Sequence, residues 1–225
     1  MTRIELDCDA VLFDMDGTIV DSRAIVERTW LGWATEHGIP VEAALKVAHG
    51  RRTFETMQLL APEVATPEEA ARLDALEEEQ EGGEAAIPGA LELLSLLPRE
   101  RWAVVTSAGH ALALRRIARV GLPTPAIVIG ADDVVAGKPD PEGYLKGATR
   151  LGVDPRRCVV FEDTPPGAEA GRSAGARVVG LTTTYSTLPR YDARVADLRA
   201  VGLGTPADGF ALRLVLLESP DADRK

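Results

Sequence analysis

Five short runs of apolar, largely β-branched residues constrain this chain more than any other feature: AVLF at 10–13, WAVV at 102–105, AIVI at 126–129, CVVF at 158–161 and ARVVGL at 176–181. Apolar residues fill these runs without alternating, so the strands they predict are buried on both faces, as in a parallel sheet covered by helices. Helical-period segments follow the second, third and fourth runs, at 110–120, 141–151 and 165–174. Strand–helix alternation with short loops predicts an α/β fold, a Rossmann-like parallel sheet with helices on both sides. Asp140-Pro141 and Thr164-Pro165 offer a side-chain acceptor and a proline at helix starts, and Gly121 and Gly152 stand where left-handed C-caps are expected.

One region breaks the alternation. Between about Val20 and Ile87 the pattern is amphipathic helix throughout, with segments expected from Asp21-Ser22 to about His37, then at 41–47, 53–60 and 66–80. Glu81-Gly82-Gly83-Glu84 reads as a hinge that returns the chain to the core. The expected division is therefore a catalytic α/β core from 1–19 and 88–225, with a helical domain of residues 20–87 inserted after the first strand. Trp30 and Trp33 are expected to pack inside that insert, and the run 77–81 to be a solvated helix face. Residues 185–225 suggest one helix near 191–201 and another near 210–218.

The net charge of -10 argues against a nucleic-acid surface. It also means that any phosphate site needs a local cation. The two cysteines, Cys8 and Cys158, make neither a disulfide framework nor a metal cluster and read as buried thiols. The first residues lack the apolar stretch of a signal peptide, and no run reaches the roughly 18 apolar residues of a membrane span. A cytoplasmic, monomeric protein is expected.

Ligands of open parallel sheets bind beyond the carboxyl ends of the strands. The first strand ends on Asp14 and Asp16, the second on Thr106-Ser107, the third leads to Gly137-Lys138-Pro139, and the fourth ends on Glu162-Asp163. Together these groups can move a phosphoryl group. Asp14 is a competent nucleophile. Asp16 can give a proton to a leaving oxygen and take one from water. Asp14, Glu162 and Asp163 are hard oxygen ligands suited to Mg²⁺, and Lys138 adds positive charge. Each piece alone is common; four at successive strand ends point to one phosphate-ester site.

These residues resemble the haloacid dehalogenase superfamily of phosphohydrolases. Asp14-Met15-Asp16-Gly17-Thr18 is similar to its first motif, Ser107 to its second, Lys138 in Gly137-Lys138-Pro139-Asp140-Pro141 to its third, and Glu162-Asp163 to its fourth. The resemblance implies an aspartyl-phosphate on Asp14, with Asp16 as general acid and base. It implies Ser107 and Lys138 as catalytic groups that, with Thr106, bind the substrate phosphate. It further implies Mg²⁺ held by Asp14, the Asp16 backbone carbonyl, Asp163 and Glu162, the last partly through water. The insert is similar to the family's cap, which closes over the site and selects substrate.

Asp16 argues against dehalogenation, which has no leaving oxygen to protonate. Val26 and His49 stand where phosphomutases similar to beta-phosphoglucomutase carry a histidine and a lysine, so sugar phosphomutase is kept only as the alternative. His49-Gly50-Arg51-Arg52-Thr53 instead resembles glycerol-phosphate and deoxysugar-phosphate phosphatases, in which a cap arginine matching Arg52 is expected to reach the substrate; the other reading makes Arg51 and Arg52 a solvated helix start. The expected activity is hydrolysis of a small polyol or sugar phosphate. A phosphate-sensing module without turnover is the third reading.

Overall fold

The computed structural model describes residues 2–80, 82–185 and 191–218. In chain order the strands are β1 (Thr2–Cys8), β2 (Ala10–Phe13), β3 (Val20–Asp21), β4 (Ala85–Ala86), β5 (Trp102–Val105), β6 (Val128–Ile129), β7 (Cys158–Glu162), β8 (Arg177–Leu181), β9 (Ala193–Val195), β10 (Val201–Gly204) and β11 (Leu212–Glu218). The α-helices are α1 (Arg23–Glu36), α2 (Val41–Val47), α3 (Thr53–Leu60), α4 (Pro67–Glu79), α5 (Ala90–Leu96), α6 (His110–Arg119), α7 (Glu142–Leu151) and α8 (Pro165–Ser173).

Among the described residues, six strands form the main sheet in the order β6-β5-β2-β7-β8-β9, and every neighbouring pair is parallel. The chain winds outward from β2 in both directions, which puts the carboxyl end of β2 at the switch point where such sheets bind ligands. The continuous apolar runs follow from this geometry. Val11 and Phe13 face one core with Trp102, Val159 and Phe161, while Ala10 and Leu12 face the other with Val105, Tyr144 and Val160. Phe13 stacks on Phe161 at 5.2 Å between ring centroids. Thr164 caps α8 by accepting from the Gly167 N–H, and Asp140 accepts from the Glu142 N–H at the start of α7.

Helices α1–α4 pack on a core of their own around Trp30, Trp33, Met57 and Leu73. The two indoles meet edge to face at 5.4 Å. The expectation that 20–87 lacks strands is corrected at its two ends: Val20 pairs with Ala86 and Asp21 with Ala85, an antiparallel clasp where the chain leaves and re-enters the core. Of the four hinge positions, Glu81 lies outside the described residues, while Gly82 and Gly83 take φ of 75° and 102°.

The end of the chain differs more. In place of the helices expected near 191–201 and 210–218 the chain forms β9, a short 3-10 turn at Leu198–Ala200, β10 and β11. β11 pairs antiparallel with β1 and β10 in a second, three-stranded sheet. Leu212, Leu214 and Leu216 are buried at alternate positions, and the cross-strand pair Asp7–Arg213 is bidentate, at 2.8 and 2.9 Å. Leucine, arginine and glutamate favour helix locally, and the pairing with β1 overrides that preference. Residues 186–190 and 219–225 of the expected tail lie outside the described residues. Cys8 and Cys158 are buried and unpaired, and burial pushes both thiols up to about 12. No described helix is long and apolar enough to cross a membrane.

Candidate active site

β2 ends at the turn that carries Asp14, whose N–H donates to the Phe161 carbonyl of β7 at 3.0 Å. Met15 is buried beneath the turn. Gly17 holds φ at 79°, and a Cβ there would stand 2.0 Å from Asp163 Oδ2. The conformation and the close approach both require glycine.

Lys138 arrives from the loop after β6 and is itself buried. Its ammonium donates to Asp14 Oδ1 at 2.5 Å and to Glu162 Oε1 at 2.6 Å. Burial opposes its charge, but the two carboxylates overcome that and hold the ammonium above the ordinary lysine range. Burial, and then the charge of Glu162, push the Asp14 and Asp163 carboxyls above the usual carboxylate range.

Glu162 is already saturated with donors. Oε1 also accepts from the Tyr144 hydroxyl at 3.0 Å, while Oε2 accepts from the Asp163 and Thr164 N–H groups and the Thr164 hydroxyl. Five donors meet the roughly four lone-pair sites of a carboxylate. Asp163 differs. Oδ1 accepts from the Thr18 hydroxyl at 3.0 Å, whereas Oδ2 is buried with no hydrogen-bond partner in reach among the described residues. Asp14, Glu162 and Asp163 each offer an oxygen within 4.8 Å of the others. Asp14 and Asp163 lie beside the saturated Glu162 with one lysine among the three, and one Asp163 oxygen is orphaned, so the two aspartates fit a hard divalent cation.

The remaining expected residues line, with Asp14, a cavity of about 510 Å³ between the sheet edge and the helical insert. Thr106 accepts from the Ala108 N–H. Ser107 donates to the Gly50 carbonyl at 3.2 Å, across to the insert. The Asp16 carboxylate stands apart from the three-carboxylate cluster: Oδ1 accepts from Ser22 at 2.5 Å and from Arg116 at 2.8 Å. Arg52 lines the cavity, but its guanidinium is committed to Glu55 and to the Val134 and Val135 carbonyls. Arg51 donates only a long bond of 3.4 Å to the Lys138 carbonyl and has no carboxylate partner among the described residues.

Sequence reasoning missed the Arg116 cluster. Arg116 is 1% exposed and pairs with Asp16, with Glu77 at 2.6 Å, and more distantly with Glu84 at 3.6 Å. Glu77 is therefore no solvated position, which corrects the reading of 77–81. A signal existed. Arg116 shares the buried face of α6 with Leu112, Ala113 and Ile117, and Glu77 lies four residues after buried Leu73.

Three comparisons bear on this site. A family model described as haloacid dehalogenase-like hydrolase matches residues 8–175. Hexitol phosphatase A of Escherichia coli K12 is 39% identical over 190 residues, covering 82% of this chain and 88% of that protein. Glycerol-1-phosphate phosphohydrolase 2 of Saccharomyces cerevisiae is 38% identical over 195 residues, covering 81% and 78%. Among solved structures, a hydrolase from Pseudomonas syringae superposes with a TM-score of 0.71 at 26% identity, covering 84% of this chain and 94% of that one.

Proposed function

We infer the activity from a plain premise: the chain belongs to the haloacid dehalogenase-like hydrolases. It is a phosphatase that hydrolyses a small polyol or sugar phosphate. The observation that carries this reading is the buried contact of Lys138 with Asp14 and Glu162 beside the orphaned oxygen of Asp163, in a chain whose relatives act on hexitol and glycerol phosphates.

In the proposed reaction a carboxylate oxygen of Asp14 attacks phosphorus as the bond to the leaving oxygen breaks. Asp16 gives that oxygen a proton, and the alcohol departs. Asp16, now a carboxylate, takes a proton from water as the water attacks the aspartyl-phosphate, which regenerates Asp14 and releases phosphate. Lys138 keeps the Asp14 oxygen in line and offsets charge on the phosphoryl oxygens; Thr106, Ser107 and nearby N–H groups receive the latter. A Mg²⁺ held by Asp14, Asp163 and the Asp16 carbonyl would supply further positive charge against the phosphate. Glu162, saturated as it is, serves to position Lys138 and the start of α8. The helical insert acts as the cap that covers this chemistry.

Two carboxylates on the cavity lining support a neutral leaving group. Asp74 and Asp132 line the cavity with no ion-pair partner among the described residues, Asp74 accepting from Thr53 and Asp132 from the His110 N–H. Carboxylates accept from the hydroxyls of a polyol and repel a second anionic group. The mutase alternative is weaker: Val26 is buried, and burial holds His49 below the ordinary histidine range, so neither position supplies a cation.

The deciding measurement is phosphate release from a panel pairing glycerol and hexitol phosphates with phosphorylated acids of equal size. Metal-dependent turnover of the neutral members is expected, with at least tenfold preference over the acids, as one or two lost hydrogen bonds or one repulsion of about 1.4 kcal/mol would give. Activity that survives chelation, or faster isomerisation than release, would overturn the reading.

A second expectation concerns the paired arginines. Arg51→Ala raises KM for the best neutral substrate roughly tenfold, the worth of one charge-assisted hydrogen bond, and leaves the melting temperature near wild type. Arg52→Ala instead lowers the melting temperature, because its partners lie within the fold. Steady-state kinetics and a thermal melt separate the two; the reverse pattern would return the substrate-binding role to Arg52.

A further inference from the structure

A buried guanidinium reaches from the core helix α6 to both the sheet edge and the insert. Arg116 meets Asp16 with Nη1 at 2.8 Å and Glu77 of α4 with Nη2 at 2.6 Å. Glu84, next to the β4 strand that leads back into the core, stands 3.6 Å from Nε and from Arg119. Burying an arginine against carboxylates is costly unless the geometry is closely satisfied, so a helix position otherwise suited to leucine needs a reason to carry it.

We propose that Arg116 is a positioning residue for the proton transfers of Asp16, and that it holds that carboxylate only while Glu77 anchors its other arm. The inference rests on the phosphatase reading above, with Asp16 as acid and base. A planar guanidinium with two engaged edges cannot rotate at one without disturbing the other. The seat of α4 over the cavity and the direction of the Asp16 carboxylate are thus joined through one side chain. Ser22, the other donor to Asp16 Oδ1 at 2.5 Å, sits at the start of α1 and ties the same carboxylate to the insert from a second side. Both donors converge on the one oxygen of Asp16, so their effect on the reaction is expected to pass through that carboxylate.

The test compares kcat/KM for glycerol phosphate and for p-nitrophenyl phosphate in wild type, Arg116→Met, Arg116→Lys and Glu77→Gln. This parameter covers events up to departure of the leaving group, so it isolates leaving-group protonation from hydrolysis of the aspartyl-phosphate. An alkoxide needs a proton to leave; p-nitrophenolate does not. In Arg116→Met the ratio of glycerol phosphate to p-nitrophenyl phosphate is expected to fall at least tenfold, a part of the roughly 10²–10⁴-fold that a positioned acid contributes. Arg116→Lys, which keeps the charge but lacks the planar fork that spans Asp16 and Glu77, restores part of the ratio, and it carries the test alone if the methionine variant does not fold. Glu77→Gln lowers the ratio in the same direction by a smaller factor. Parallel losses on both esters, or an unchanged ratio in the folded Arg116 variants, would overturn the assignment. A wild-type ratio in Glu77→Gln would overturn the link to α4. Wild-type protein that hydrolyses neither ester would remove the phosphatase reading and this inference with it, whereas turnover with an unchanged ratio removes this inference alone.

Discussion

Asp14→Asn is expected to abolish phosphate release, by on the order of 10⁵-fold or more as for other lost nucleophiles, and at the same time to raise the melting temperature of the metal-free protein. The two effects have one origin. Burial and the neighbouring Glu162 push the Asp14 carboxyl upward, so at neutral pH its ionised form is less favoured in the folded chain than in the unfolded one. A neutral amide of the same shape removes that repulsion, and Lys138 keeps Glu162 as its partner at 2.6 Å. The nucleophile is maintained at a cost to stability, a trade common at active sites. Acid quenching during turnover should trap phosphate on wild-type protein in a hydroxylamine-labile form, and none on the variant. A melting temperature that falls, or phosphate bound to the variant, would contradict this account.

Lys138→Met is expected to lower both properties. It leaves Asp14, Glu162 and Asp163 within reach of one another with no cation among them. Removing one partner of a buried ion pair costs about 3–5 kcal/mol, which for a chain of this size is a fall on the order of 10 °C. Magnesium should restore part of the loss, because a ligand bound only by the folded state adds stability by mass action. Activity should stay low even with metal, since the Asp14 oxygen has lost the donor that orients it. Thermal melts with and without Mg²⁺ give the comparison. A variant as stable as wild type in chelator would show that the carboxylates are compensated by something other than Lys138.

These two substitutions act on residues whose importance was legible in the sequence. The strands that deliver Asp14, Thr106-Ser107 and Glu162-Asp163 are buried on both faces, so their apolar runs stand out without any knowledge of the partner strand. Lys138 required one further step, the expectation that the loop after a strand of a parallel sheet points to the ligand edge. The length of β6 was less legible: the run 126–129 contributes Val128–Ile129 as strand, while the Ile127 carbonyl still accepts from the Val104 N–H.

The second sheet shows where local reading fails. β1 alternates Ile4, Leu6 and Cys8 with Arg3, Glu5 and Asp7, a half-buried strand pattern; β11 places leucines at 212, 214 and 216 but also at 217, and its residue types favour helix. Only when the two lie side by side do Asp7–Arg213 and the buried leucines find their partners.

What the sequence determined by itself was the set of groups at the carboxyl edge of the sheet and the chemistry open to them, because burial on both faces and strand-end placement leave local marks. The tertiary structure decided how each charge is spent. It commits Arg52 to loop carbonyls and leaves Arg51 at the cavity, turns Glu77 inward, and sets Arg116 between Asp16 and the helical insert. Charges reveal their roles only through what stands within a few ångströms, and those neighbours come from positions 39 to 100 residues away along the chain. Electrostatic energy depends on that distance and on burial, neither of which a linear pattern records.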